Sequence, residues 1–479
     1  MGGNEPGDPA VPESAVRFDS ARFAAWTGGA WDGPPPAGLD AVSQNGRSVP
    51  AGGLYVAIQG EKHDGHAFVA QAQSAGAAAA LVRRDWPRPD GVSLPLLRVA
   101  DTRRALAAAA AAWRRASGAF VVGLTGSAGK TTTKEFAAAM LAAAGPTPAT
   151  AGNLNNDIGL PLSLLAMPAG TRFGVFEAGS NHPGEIAALA AVLQPDAAIV
   201  TLVGPVHIEF FGTEEAIADE KADLLRAVPP QGFCVLARDS RHFDYLRRQA
   251  RARVVTVALG DGDNADFCGR VADVNAGDVD VAEPAAGTTL RLHTGLPGAH
   301  NAANLLLAAA AARTLGASWA QIEAGLARVR LPPMRWQRSE GRGVAVINDA
   351  YNANTPGMVA ALDTFAAAPA PGRRVLVLGE MRELGAHAEA LHSAVGRRVP
   401  GGPWQALVAV GPAARWIADE AVAGGFPAAA VRAYADAASA AADAAAWSRP
   451  GDTILLKASR GVGLEAVAGA LTGECARHA

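Results

Sequence analysis

The chain has few cysteines, almost no net charge and no long apolar run, and each shortage excludes something. Three cysteines, Cys234, Cys268 and Cys475, stand without paired spacing among 479 residues. That argues against a disulfide framework and suits a reducing compartment. Forty-two basic residues balance 45 acidic ones, and no long basic run appears, which argues against nucleic acid as the main partner. The opening MGGNEPGDPAVPESAV lacks the basic start and apolar core of a signal peptide. The tract ALAAAAAAW at 105–113, flanked by Arg103, Arg104, Arg114 and Arg115, falls short of the ~20 apolar residues that a membrane span needs. It reads as an Ala-rich helix of a soluble, cytoplasmic protein.

What is present is apolar residue in quantity, 49% of the chain, enough for a sizeable core. The length suggests about three domains, drawn here as 1–103, 104–330 and 331–479. In the first, LYVAIQG (54–60) and AALVRR (79–84) read as strands around a helix at 67–77. From 118 onward the pattern becomes strand, loop, helix. GAFVVGL, RFGVFEAG and DAAIVTLVGPVH are apolar runs separated by helical stretches, the last ending near His207. LPPMRWQRSEGRG (331–343) reads as a linker. VAVINDAY, RRVLVLGEM, ALVAVG and DTILLKASRG are then four more apolar runs. Such alternation predicts an α/β fold with mostly parallel sheets, whose ligands sit at the carboxyl ends of strands.

The stretch FVVGLTGSAGKTTTKEF (120–136) carries the most chemistry. The common phosphate loop is G-x-x-x-x-G-K-[ST], yet the first glycine of that count falls on Leu124. Glycine amides and a helix N-terminus still make an anion hole. Lys130 can reach outer phosphates and Thr131 can offer a hydroxyl to magnesium. Glu177, at a predicted strand end, is either a magnesium ligand or a solvent-facing or capping carboxylate. His207 is either a metal ligand or a loop histidine. Lys221 is ordinarily a solvated helix charge, but buried near a metal pair its amine would be neutral and open to carbamylation. Asn301 and Asn304 share a helix face and either read a base edge or cap the helix. Arg335 suits a phosphate, and Asp349 suits ribose hydroxyls.

Taken together these residues resemble the Mur ligase family, whose loop is T-G-x-x-G-K-[ST], here Thr125-Gly126-Ser127-Ala128-Gly129-Lys130-Thr131. GNLNNDIGLPLSLL, EAGSNHPGEI, NDAYNANTPGM and LGEMRELG add to the likeness, which runs from about residue 40 to about 468. The resemblance implies an N-terminal UDP-sugar domain, a central phosphate-loop ATPase domain and a C-terminal Rossmann-like domain. It implies an ATP-dependent carboxylate–amine ligase of peptidoglycan synthesis, acting as a monomer. UDP-N-acetylmuramoyl-tripeptide and D-alanyl-D-alanine would be its substrates. Sibling readings are a ligase adding a single amino acid and an ATPase or binding protein that does not ligate.

The loop, with Lys130 and Thr132, would hold ATP. Thr131 and Glu177 would hold one magnesium, and His207 with a carbamylated Lys221 a second. Asn304 would meet adenine, Arg335 phosphate and Asp349 ribose. Ser43 and Arg47 would meet the UDP-sugar, and Asn352, Asn354 and Glu383 the dipeptide. The chain departs from the family at Ala128, where asparagine is common. It departs also at Ser43-Gln44-Asn45-Gly46-Arg47, where S-x-D-S-R is usual, and at Ala458, where glycine is usual.

Overall fold

The computed structural model describes residues 18–60, 63–260 and 264–473. The N-terminal segment and Cys475 lie outside these residues. The chain divides into two compact units.

The first unit comprises the chain up to Val121 with Gly145–Ala178 and Ala188–Gln194. Its five-stranded sheet runs in the order Ala30–Asp32, Leu96–Val99, Ala79–Arg83, Leu54–Val56, Val42–Ser43. All its pairings are parallel except that of the first strand. Tyr55, Ala80, Val82 and Leu96 form part of its core with Val69 and Ala72 from the helix Val69–Ser74. The Ala-rich tract forms the helix Thr102–Ser117. The Asp101 carboxylate caps it by accepting from the Arg103 and Arg104 amides, and Gly118 ends it in the left-handed region. Ala105, Leu106, Ala109, Ala110 and Trp113 are its buried apolar side chains. Arg114 is buried as well and donates to the carbonyls of Leu193, Ala119 and Gln194.

The second unit carries two sheets. In the first, Phe120–Thr125, Ala197–Val200, Phe233–Ala237, Arg253–Leu259 and Phe267–Asp273 follow one another in parallel. Asp278–Glu283 and Thr288–His293 continue the sheet as an antiparallel edge. The other sheet has the order Gln337–Gly341, Val344–Asn348, Thr453–Lys457, Arg374–Gly379, Ala406–Val410, Val431–Tyr434. It is parallel apart from its first pair. The α/β class with mostly parallel sheets is thus the observed one.

Two local expectations are corrected. The run at 196–207 is a strand only to Val200, because the chain then bends toward the loop. The Thr201 amide donates to the Thr125 carbonyl, and the Ser127 amide donates to the Leu202 carbonyl. The supposed linker at 331–343 contains the strand Gln337–Gly341. As an edge strand it is half-exposed and polar, so it carries no apolar alternation to read. Among the described residues, no helix is long and apolar enough to cross a membrane, and the cysteines Cys234 and Cys268 are free and buried.

Candidate active site

The strand Phe120–Thr125 delivers the chain into the loop, and the helix Lys130–Ala142 leaves it. Two glycines make the turn possible. Gly126 and Gly129 have φ of 147° and 80°, a region that side chains disfavour. A Cβ on Gly129 would also strike Asn304 Oδ1. Thr133 Oγ1 donates to that same oxygen at 3.2 Å. The helix Ala299–Thr314 is thereby seated directly behind the loop. Asn301 and Asn304 both lie inside that helix, with Asn304 Nδ2 donating to Asn301 Oδ1 and Asn301 Nδ2 to the Pro297 carbonyl. Neither residue is the helix cap.

Ser127 faces inward. Its hydroxyl donates to the Gly204 carbonyl at 2.9 Å and accepts from the Gly204 amide at 3.1 Å. Thr201 Oγ1 donates to the Ala128 carbonyl at 2.6 Å. The loop is therefore held from the side of residues 201–204. Thr125 and Thr132 are buried at its two ends. Lys130 Nζ arches across it and donates to the Gly126 carbonyl at 2.8 Å.

Arg335 comes to the loop from 204 residues away. Its Nη2 donates to Thr131 Oγ1 at 2.8 Å, its guanidinium lies 4.4 Å over the Tyr351 ring, and its Nε is buried without a partner. Met334 and Trp336 on either side have φ of 62° and 50°. Such backbone persists only when its surroundings hold it. Here Tyr351 N–H donates to the Met334 carbonyl, and Trp336 N–H to Asp349 Oδ1 at 3.2 Å. Asp349 Oδ2 is paired with Lys457 at 2.7 Å. Asn354 Oδ1 caps the helix Thr355–Ala367 through the Gly357 amide, while its Nδ2 donates to the Ser127 carbonyl at 3.2 Å. Asn352 uses its side-chain oxygen locally, on the Ala353 amide.

His207 caps the short helix Ile208–Phe211 with φ of 51°. Its Nδ1 is bonded to the carboxylate of Glu383, which has φ of 60°. Burial moves the His207 pKa below 6.5 against the opposing pull of Glu383, and the charges of Lys130 and Lys221 lower it further. Lys221, on the helix Glu214–Ala227, is 1% exposed. Its Nζ donates to Ser180 Oγ at 2.6 Å. Burial, with Lys130 second, brings its pKa down to about 7, while Glu220 and Glu185 pull the other way. The adjacent Glu220 accepts from the Gly184 and Ile186 amides at 2.7 Å each, which fixes the segment that carries Ser180. His182 in that segment stacks on Phe210 at 4.1 Å between ring centres.

The second unit thus gathers Lys130, Thr131, Asn304, Arg335, Asp349 and Asn354 around one loop, and pairs His207 with Glu383. Glu177 belongs to the first unit. There it ends the strand Phe173–Glu177, is 2% exposed and accepts from Asn155 Nδ2 at 2.8 Å. Ser43 and Arg47 are also in the first unit. Ser43 Oγ accepts from the Asn45 amide, and Asn45 Oδ1 from the Arg47 amide, both at 3.0 Å. The altered motif therefore makes a compact turn. Sequence reasoning singled out no role for Lys457, and the bonding of Ser127 to Gly204 and of His207 to Glu383 gave no local signal, since each contact is remote in sequence.

Fold and loop together define a phosphate-loop nucleotide enzyme. Three family models match the chain: "Mur ligase family, catalytic domain" over 39–114, "Mur ligase middle domain" over 124–312 and "Mur ligase, glutamate ligase domain" over 334–460. The UDP-N-acetylmuramoyl-tripeptide–D-alanyl-D-alanine ligase of Escherichia coli K12 is 39% identical over 78% of this chain and 81% of its own. A crystal structure of MurF from Acinetobacter baumannii superposes with a TM-score of 0.85 at 28% identity, covering 96% of this chain and all of that one. MurF from Thermotoga maritima, in complex with ADP, gives 0.75 at 27% identity, covering 90% and 96%. The chain belongs to the Mur ligase family, and it is an ATP-dependent ligase.

Proposed function

We propose that this ligase joins D-alanyl-D-alanine to the terminal carboxylate of UDP-N-acetylmuramoyl-tripeptide. The observation that carries the reading is the convergence of Lys130, Thr131 and Arg335 on one loop, in a chain similar to ligases named for that reaction. A carboxylate is a poor electrophile, so it is first phosphorylated. Its oxygen attacks the γ-phosphorus of ATP, ADP leaves, and an acyl phosphate forms. The dipeptide amine then attacks the acyl carbon, and phosphate departs as the amide forms. Lys130 and Arg335 offset the negative charge that gathers on the transferring phosphoryl group. The unpartnered Nε of Arg335 is a donor suited to a phosphate oxygen. Asp349 is assigned to the ribose, Asn304 to the adenine side, and Ser43 and Arg47 to the UDP-sugar. A cytoplasmic location, where ATP is supplied, is part of the proposal.

Magnesium, when bound, supplies charge neutralisation at the phosphates. Its preference is for oxygen ligands. The Thr131 hydroxyl and the buried Glu177 carboxylate meet that preference. Lys221 does not as an amine, but does as a carbamate, and an amine with a pKa near 7 can take up carbon dioxide.

The test is ADP release with UDP-N-acetylmuramoyl-tripeptide, run with the dipeptide, with single amino acids, and with neither. Turnover that needs the dipeptide supports the reading. A preference for a single amino acid, or release that needs no acceptor, overturns it. Lys130→Ala should abolish turnover while the far-UV spectrum stays native.

A further inference from the structure

The chain has only five lysines, at positions 62, 130, 134, 221 and 457, among 42 basic residues. Arginine serves at every other basic position. A lysine offers a compact ammonium where an arginine offers a planar guanidinium. Lys62 lies outside the described residues. Lys130 and Lys221 belong to the site above, and Lys134 pairs with Glu135 at 2.7 Å. Lys457 has no role in that reading.

Lys457 ends the strand Thr453–Lys457, which lies between Val344–Asn348 and Arg374–Gly379 with parallel pairing on both sides. The carboxyl edge of such a strand is where α/β sheets bind ligands. Its residue is 7% exposed. Its three ammonium protons meet three oxygens: Asp349 Oδ2 at 2.7 Å, the Asp349 carbonyl at 3.0 Å and the Asn352 carbonyl at 2.9 Å. An ammonium has three donors and no more, so its bonding capacity is spent on the turn 349–352. Two residues on, Asn354 donates to the Ser127 carbonyl of the phosphate loop. The other oxygen of Asp349 holds the amide next to Arg335.

We infer that Lys457 is a positioning residue for nucleotide binding, holding the 349–354 turn against the phosphate loop from behind. This rests on the reading that ATP occupies that loop. A guanidinium is flat and longer, and its fork does not converge on three oxygens within one turn.

The experiment compares Lys457→Gln and Lys457→Arg with the wild-type full chain. It measures KM for ATP, KM for UDP-N-acetylmuramoyl-tripeptide and ADP affinity by calorimetry, with far-UV circular dichroism as the check on folding. Loss of one charged hydrogen-bonding partner predicts about a tenfold rise in the KM for ATP and a matching loss of ADP affinity. The KM for the UDP-linked substrate should stay put. A role confined to folding would move both KM values together, or neither, and would overturn the inference. So would wild-type ADP affinity in either folded variant. Lys130→Ala is run alongside. If it binds ADP like the wild type, the reading of the loop fails. If it loses ADP while the Lys457 variants keep it, only the inference about Lys457 fails.

Discussion

Glu383 bonds the Nδ1 of His207 across 176 residues of sequence, and both residues hold left-handed backbone. Left-handed backbone costs a side-chain-bearing residue roughly 1–2 kcal/mol. Glycine pays no such penalty at that conformation. Glu383→Gly should therefore leave the melting temperature unchanged or higher, yet lower kcat by at least about tenfold by freeing the imidazole it orients. Glu383→Gln, which keeps a bond to Nδ1, should fall between. Thermal melts beside steady-state kinetics check this. A glycine variant with wild-type kcat would show that the pair is structural only.

The loop glycine gives a second prediction. Gly129→Ala places a methyl group on Asn304 Oδ1 and asks alanine to adopt φ of 80°. The variant should lose roughly 1–3 kcal/mol of stability and most of its affinity for ADP. Adding Asn304→Ala removes the collision but leaves the backbone strain, so the double variant should recover part of the stability. Urea titrations of the two single variants and the double give the coupling. Strict additivity would mean that the helix Ala299–Thr314 does not press on the loop.

These two cases mark the limit of what could be read from the sequence. The loop residues 125–131 were legible because their chemistry is local: glycines, a lysine and a threonine in order between a strand and a helix. The parallel strands were legible because buried strands are continuous apolar runs. Glu383 was assigned to a dipeptide pocket and Ser127 to ATP. Their partners, His207 and Gly204, are set by the fold and leave no trace in spacing. The edge strands Gln337–Gly341 and Val431–Tyr434 were missed because half-exposed edges need no apolar residues. Lys457 heads the stretch KASRG, but nothing in that stretch says what its ammonium meets, and its three oxygen partners are set by the fold.

Lys221 supplies a third prediction, with a readout independent of turnover. Protein equilibrated with ¹³C-bicarbonate should show a carbamate resonance in its carbon spectrum, and Lys221→Arg should lack it. Lys221→Ala should lose nearly all ligase activity and regain part of it with a short added carboxylate. A wild-type spectrum without the resonance would remove the carbamate from the proposal and leave the loop assignments standing.

His392 gives a prediction about pH. It is fully buried. Its Nε2 accepts from the Met381 amide at 2.8 Å, and its Nδ1 donates to the Ala388 carbonyl at 2.7 Å. Burial lowers its pKa below 6.5, although the Ala388 carbonyl and Glu380 favour the charged ring. The unfolded chain therefore takes up a proton at this residue more readily than the folded one. By linkage, its contribution to stability is complete above about pH 6.5 and is lost as pH falls from there toward the lower folded value. Protonation also sets a ring N–H against the Met381 amide, at the start of the segment that ends in Glu383. His392→Gln retains an acceptor but cannot titrate. The wild type should therefore lose stability relative to this variant between neutral pH and pH 5, as measured by urea midpoints at each pH. Parallel pH profiles for the two proteins would mean that His392 does not titrate differently in the folded and unfolded chains.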